Sequence, residues 1–333
     1  MMTLESRGGC LQAGNLLLRW WKWILAALVL LLLLPYLYCL FAMARLYLFW
    51  QFNPSFFSYV SPATVPDAFP ERQPPVPKII HQTWKNKEVP EKWRAAQQSC
   101  IDMHPGYKYM LWTDEDALAL VRDKYPWFLA TYSSYPYNIQ RADALRYFVL
   151  HEHGGIYLDL DIVCIKSLDF VRHYNFTAPK TYPIGVSNDF LASAPGTAFA
   201  HHLITHLATW NHWFVVKYAT VMFSTGPMFV TAQFTLFGDR DEMVILPADL
   251  YGKYAVSNGT VFKHLHGSSW HGEDAKLVFW LEHHGLLPAS FAALLLITGA
   301  LCYWFYGGNR TLPPFSSQAG PARGAQPGTN KGW

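Results

Sequence analysis

The chain has 333 residues, of which 51% are hydrophobic, 17% aromatic and only 15% charged, with a net charge of +3. Such an excess of apolar residues excludes an ordinary soluble domain and points to membrane segments. The charges are scattered without a basic run, which argues against nucleic acid as a partner.

After a flank at 1–22 carrying Arg7, Arg19 and Lys22, the run "ILAALVLLLLLPYLYCLFAMA" extends 21 residues from Ile24 to Ala44 without a charge. That length spans a hydrocarbon core at helical rise, and Trp20, Trp21 and Trp23 precede it as an interfacial belt would. We place a retained transmembrane helix at 23–44. The alternative, a cleaved signal peptide, lacks a small-x-small site after the run. Residues 45–77 form a stem, aromatic at first (Phe49, Trp50, Phe52, Phe56, Phe57) and then rich in proline, which makes it stiff. A second uncharged segment, Leu286–Tyr306, reads as another span, although a buried helix of the domain would look similar. The tail at 307–333, rich in Gly, Pro and Ser, reads as disordered, which favours the span. Basic residues in the flank and tail put both termini in the cytosol and the domain at 78–285 in a lumen, although Arg45 weakens the contrast. The sequons at Asn175 and Asn258 are then usable and the one at Asn309 is not.

Within the domain, Lys78–Thr83 has the character of a first strand ending at Trp84, followed by a helix over about 90–103. A turn at His104-Pro105-Gly106 leads to a strand at Tyr107–Trp112 and a helix opened by Thr113, with Asp116 three residues on as in a capping box. Alternating strands and helices predict an α/β fold. Of five cysteines, Cys39 and Cys302 fall in the apolar segments. Cys100 and Cys164 are left as the plausible pair, and spacing does not decide whether they join.

The stretch "NIQRADALRYFVLHEHGGIYLDLDIVC" holds the chemistry. Its first part has helical periodicity and Gly154-Gly155 ends it, with Asp143 and Arg146 on one helical face. An isolated D-x-x-R is most simply a solvated ion pair, but this helix feeds straight into a strand. Alternation along that strand places Tyr157, Asp159, Asp161 and Val163 on one face, so two carboxylates share the strand's C-terminal end. Ligands of open α/β sheets bind outside such ends. A hard divalent cation that also takes diphosphate oxygens is the usual compensation for paired carboxylates.

Together, "IIHQTWK", "RADALRYFVLHEHGGIYLDLDI" and "HGSSWHGED" resemble the DXD-containing glycosyltransferases, a family that includes the fungal mannosyltransferases of inositol phosphorylceramide and the initiating Golgi mannosyltransferase. The resemblance covers about 76–275, and the flanking spans make the sphingolipid branch the nearer match. It implies an α/β, GT-A-like nucleotide-sugar-binding (Rossmann-like) domain flanked by two transmembrane helices. It further implies a retaining transfer of mannose from GDP-mannose to a membrane sphingolipid, dependent on Mn2+ or Mg2+, at the Golgi membrane, with a regulatory membrane subunit as partner.

By the same resemblance Asp161 binds the metal, Asp159 contacts the ribose or sugar and assists the metal, and Asp143 accepts hydrogen bonds from sugar hydroxyls. Arg146 approaches sugar and diphosphate, where a guanidinium fork suits oxygen acceptors. Trp84 stacks on the base or simply packs in the core. Ser269 and Trp270 match an S-W element that closes over the diphosphate. A late histidine completes the metal shell: His264 first, His271 as the alternative, with His266 also within reach by spacing. Thr225 and Gly226, in "FSTGPMFV", are candidates on the acceptor side. His201, His202 and His206 lie on a helical stretch with a surface or core role. Competing expectations are a glycoprotein mannosyltransferase of this family, a non-catalytic membrane subunit that keeps the fold, and a metal phosphoesterase, for which ligands are too few.

Overall fold

The computed structural model of the protein describes residues 58–60, 73–182, 185–214, 216–239, 241–254, 256–267 and 270–284, with scattered helical positions between 21 and 52. The chain divides into two compact units, Met1–Asp274 and Ala275–Trp333. Among the described residues no helix is long and apolar enough to cross a membrane. The span expected at 286–306 lies outside the described residues, as does most of the one expected at 23–44.

The first unit is built on strands β1 (Ser58–Tyr59), β2 (Ile79–Thr83), β3 (Lys108–Trp112), β4 (Gly155–Leu158), β6 (Phe176–Pro179), β7 (Phe190–Ser193) and β8 (Met243–Leu246). They form one sheet in the order β1-β8-β6-β7-β4-β2-β3. Strands β5 (Ile162–Cys164) and β9 (Phe262–His264) make a separate antiparallel pair. The helices that matter for the site are α1 (Glu91–Asp102), α2 (Asp114–Lys124), α3 (Leu129–Ser134), α4 (Asn138–His153), α5 (Ala198–His206), α6 (Lys217–Ser224) and α7 (Pro227–Leu236).

Local chemistry sets the boundaries. Thr113 caps α2 in a capping box whose return bond comes from Asp116. Helix α4 stops at Gly154 (φ 62°), and Gly155 (φ 104°) opens β4. A Cβ at Gly155 would sit 2.7 Å from the Ile79 carbonyl, so β4 reaches β2 only because no side chain intervenes. One face of the sheet packs Tyr147, Phe148, Phe176, Phe199 and Phe229 into a core. The other packs Ile80, Ile156, Leu158, Phe190 and Phe262. There Cys100 of α1 and Cys164 of β5 are joined as a disulfide.

His81, in the middle of β2, is fully buried and wired as a neutral ring. Trp112 donates its indole N–H to Nδ1 at 3.0 Å, and Nε2 donates to the Gly154 carbonyl at 2.8 Å. Burial drives its pKa down to about 4, against the pull of the Gly154 bond.

One expectation is corrected. The strand does not continue through the paired acids: β4 ends at Leu158, and 159–161 form a turn before β5. Asp159 and Asp161 are therefore presented by a turn at the end of a central strand, and side-chain alternation does not apply to them. The cause is visible in β5, which leaves the main sheet to pair with β9.

Sheet direction then assembles the site. Strands β2, β3 and β4 are mutually parallel, whereas β7 runs antiparallel to β4 with Leu158 opposite Phe190. The residues just before β7, Asn188 and Asp189, thus fall beside the turn after β4. The Asp159 amide donates to the Asp189 carbonyl at 2.8 Å.

Candidate active site

Two polar clusters meet at this turn. The first hangs from α4. Arg146 is 2% exposed and Asp143 4% exposed, so the pair is buried, not solvated. Arg146 Nη2 lies 2.8 Å from Asp143 Oδ1 and 3.5 Å from Asp159 Oδ1. Nη1 donates to the Asn188 carbonyl, and the guanidinium lies over the Tyr157 ring at 4.7 Å. Asp143 also accepts from Asn188 Nδ2 at 3.1 Å and from the Thr225 hydroxyl at 3.1 Å. Three of roughly four acceptor positions on that carboxylate are thereby filled from within the protein. Asp143 accordingly fixes Arg146 and the loop before α7. Burial pushes its carboxyl above the usual range, against the pull of Arg146, Thr225 and Asn188.

The second cluster is built on loops. The segment after β9 wraps Asp161: the Leu265 amide donates to the Asp161 carbonyl at 2.8 Å, and the Gly267 amide donates to Oδ2 at 2.7 Å. A Cβ at Gly267 would meet that same oxygen at 2.8 Å and the Trp93 ring at 2.9 Å, so this close wrap requires glycine. His264 directs Nε2 to Asp189 Oδ2 at 3.2 Å and to Asp161 Oδ2 at 3.7 Å. Its Nδ1 accepts the His266 amide at 2.9 Å, which assigns the ring proton to Nε2. Asp189 is also held by Lys253 at 2.9 Å and by the Tyr251 hydroxyl. Burial works to raise the Asp189 pKa, but Lys253, His264 and Tyr251 outweigh it and hold the carboxyl well below the usual range. Burial likewise disfavours charge on His264, yet Asp189 raises its pKa.

Asp159 belongs to both clusters. Tyr157 donates its hydroxyl to Oδ1 at 2.9 Å. Burial pushes the carboxyl up to about 7, opposed by Arg146 and reinforced by Asp161 and Asp189.

Asp143, Arg146, Asp159, Asp161, His264 and Thr225 are thus gathered at one place. Trp84 is half-buried beside Leu160, the residue between the two acids, together with Trp93, and its indole N–H has no partner. Trp270 stacks on Tyr218 at 5.5 Å, and His271 packs edge-on against both rings. His266 stands next to His264, 5.1 Å ring to ring. Gly226 precedes Pro227 at the start of α7. Ser269 lies outside the described residues. His201, His202 and His206 lie on α5, and His202 packs with Phe199 and Phe237.

Sequence reasoning missed Asn188, Asp189, Lys253 and Tyr251. For Asn188 and Asp189 the available signal was "SND", three polar residues directly before the apolar strand "FLAS"; Tyr251 and Lys253 had none.

Chemically, the set offers two carboxylates and an imidazole suited to a divalent cation. Among the described residues no three His, Cys, Asp or Glu side chains form a ready cage. Asp161 Oδ2 and His264 Nε2 stand 3.7 Å apart, less than twice a metal–ligand bond of about 2.1 Å. A cation held there would take further oxygens from its substrate, as such cations do at diphosphates. Two buried polar atoms of the clusters also lack partners, Arg146 Nε and Asp189 Oδ1.

A parallel-rich α/β sheet with a D-x-D turn at a central strand's C-terminal end, backed by a buried guanidinium, is the arrangement of a sugar-nucleotide transferase. The family model described as "Glycosyltransferase sugar-binding region containing DXD motif" matches residues 90–177. Inositol phosphoceramide mannosyltransferase 3 of Schizosaccharomyces pombe is 42% identical over 244 residues, 72% of this chain and 67% of that protein. Mannosyl phosphorylinositol ceramide synthase SUR1 of Saccharomyces cerevisiae is 42% identical over 224 residues, 66% of this chain and 58% of that protein. Among solved structures, PaToxG glycosyltransferase aligns with a TM-score of 0.37 and 16% identity over 48% of this chain and 69% of that one. The chain belongs to the DXD-motif family of the inositol phosphoceramide mannosyltransferases, and it is a glycosyltransferase.

Proposed function

We propose that the protein transfers mannose from GDP-mannose to inositol phosphorylceramide at the lumenal face of a Golgi membrane, with Mn2+ or Mg2+ at the D-x-D turn. The observation that carries this reading is the Asp161 carboxylate, fixed by the Gly267 amide and faced by His264, beside the buried Arg146. The mannosyltransferase names of the relatives support the sugar and the lipid. A disulfide, which suits an oxidising compartment, and exposed sequon asparagines at 175 and 258 support a lumenal domain. Leu25, Leu28, Leu31 and Leu34, all exposed, support the first span.

In this reading Asp161 and His264 hold the cation, with Asp159 at its edge. Bound there, the cation neutralises the diphosphate as it leaves. For His264 to take part through Nε2, its ring proton would move to Nδ1, and the bond from the His266 amide to Nδ1 would be given up. Arg146 needs no reorganisation during the reaction, because Asp143, Asn188 and Tyr157 already fix its plane. Its unpartnered Nε and its contact with Asp159 place positive charge where the glycosyl–phosphate bond breaks. Trp84, half-buried, offers a face for the base, and the Ser269-Trp270 element covers the diphosphate to exclude water.

The test is transfer from GDP-mannose to inositol phosphorylceramide in membranes bearing the protein or its Asp161→Ala variant. Transfer that disappears with the variant, while the protein stays folded, is expected. Activity unchanged by the substitution would refute the mechanism. Cells lacking the protein should accumulate unmannosylated inositol phosphorylceramide. A normal sphingolipid profile with truncated N-glycans would move the acceptor to glycoproteins.

A further inference from the structure

A patch of exposed aromatic side chains lies at the sheet edge formed by β1, outside the transfer site. Tyr59, Tyr182, Tyr254 and Val256 are between 38% and 57% exposed. The three tyrosines are one surface, with Val256 two residues beyond Tyr254 in the chain: the rings of Tyr182 and Tyr254 meet edge-on at 5.1 Å. Lys180 Nζ lies 5.9 Å from the Tyr59 ring centre and 5.5 Å from that of Tyr182. The Tyr254 hydroxyl accepts the Tyr182 amide at 2.9 Å and bonds Thr181, so the patch is held in place.

Its composition is that of an interfacial belt, with amphipathic tyrosines around a lysine whose stem covers apolar surface. Its position in the chain says what it faces. Only 13 residues, 45–57, separate Ala44, the end of the uncharged run, from β1. They reach about 45 Å at full extension and about 20 Å as a helix. The described positions 45, 48 and 52 are helical, and Leu48 and Phe52 are exposed. The patch also continues into the site through one short strap. Tyr251 and Lys253 bind Asp189 inside, and Tyr254, the next residue after Lys253, packs on Tyr182 outside.

We propose that this face rests on the bilayer surface, with the tyrosines at headgroup level and Lys180 among anionic phosphates. The side of the transfer site that holds Lys253 and Asp189 is then the side from which a lipid headgroup enters. The inference rests on the membrane anchoring proposed above and adds which face meets the lipid.

The test uses the full chain with Cys10, Cys39 and Cys302 replaced by serine, reconstituted in vesicles of phosphatidylcholine and phosphatidylinositol. A bimane label is attached either at Val256→Cys or at Leu118→Cys. Leu118 is exposed on α2, which packs beside β3 at the opposite edge of the sheet. With lipids carrying a nitroxide near the headgroup, the label at 256 should be quenched at least twofold more strongly than the label at 118. Equal or weaker quenching at 256 overturns the proposal, whether a second protein or solvent covers the patch. A Lys180→Glu, Tyr182→Ser variant should lose about tenfold in transfer to acceptor embedded in vesicles while binding GDP-mannose as before. Unchanged transfer by that variant also overturns it. Quenching at 256 in a protein inactive on every inositol lipid would instead refute the proposed acceptor and leave the surface assignment standing.

Discussion

The two polar clusters around the D-x-D turn are built on opposite plans. The Asp143–Arg146–Asn188–Thr225 cluster hangs from a helix inside the core, where Asp143 and both Nη atoms of Arg146 are bonded and Arg146 Nε is left over. The Asp161–His264–Asp189–Lys253 cluster hangs from loops and a short strand pair, and it keeps an unmatched carboxylate oxygen. A network hung from a core helix is rigid, one hung from loops yields to a ligand, and the single unsatisfied atom in each marks where something else binds. The protein thus separates a fixed frame from a ligand-dependent rim.

Breaking the frame should have the largest effect. Arg146→Ala leaves buried acids uncompensated, so stability should fall by about 3–5 kcal/mol along with all transfer, read as an earlier denaturation midpoint. Breaking the rim should separate the two properties. Asp161→Asn should cut transfer at least about 100-fold while the midpoint stays within about 1 kcal/mol of the parent. If both variants unfold alike, the division into frame and rim is wrong. Gly267→Ala should be milder, lowering transfer roughly tenfold through the displaced Asp161 carboxylate and Trp93 ring, with KM for the donor rising more than kcat falls.

The last effect leaves transfer at neutral pH untouched and concerns a residue outside both clusters. The folded-state pKa of His81, about 4, lies below its unfolded value of about 6.5. Its contribution is therefore complete above pH 6.5 and is lost as pH falls toward 4, by at most about 3 kcal/mol. His81→Asn should flatten the acid side of the stability profile by one proton. A slope that does not change would show that His81 is not the group that titrates.

Legibility in the sequence followed locality. Helix α4, the capping box at Thr113 and the glycine stop at Gly154 are set by neighbours along the chain, and periodicity exposed them. The Asp143–Arg146 pairing was legible as a face of a helix, but its burial was not, because burial depends on the β4–β7 pairing. Asn188, Asp189 and Lys253 reach the turn only through an antiparallel strand and a distant strap, and no spacing encodes that. The strand assignment through Asp161 failed for a related reason. The apolar alternation continues into β5, yet β5 pairs with β9, over 90 residues away in sequence.

The antiparallel placement of β7 has one more consequence. A slip of β7 by one residue along β4 would withdraw the Asn188 carbonyl from Arg146 and the Asp189 carbonyl from the Asp159 amide, and it would turn the β7 side chains to the wrong faces. The misaligned chain would then take Asn188 from Arg146 and Asp143, and Asp189 from His264 and Lys253. The charged cluster therefore acts as a registration mark. It rejects misfolded alignments before any donor binds, so the frame of the site also checks the assembly of the sheet.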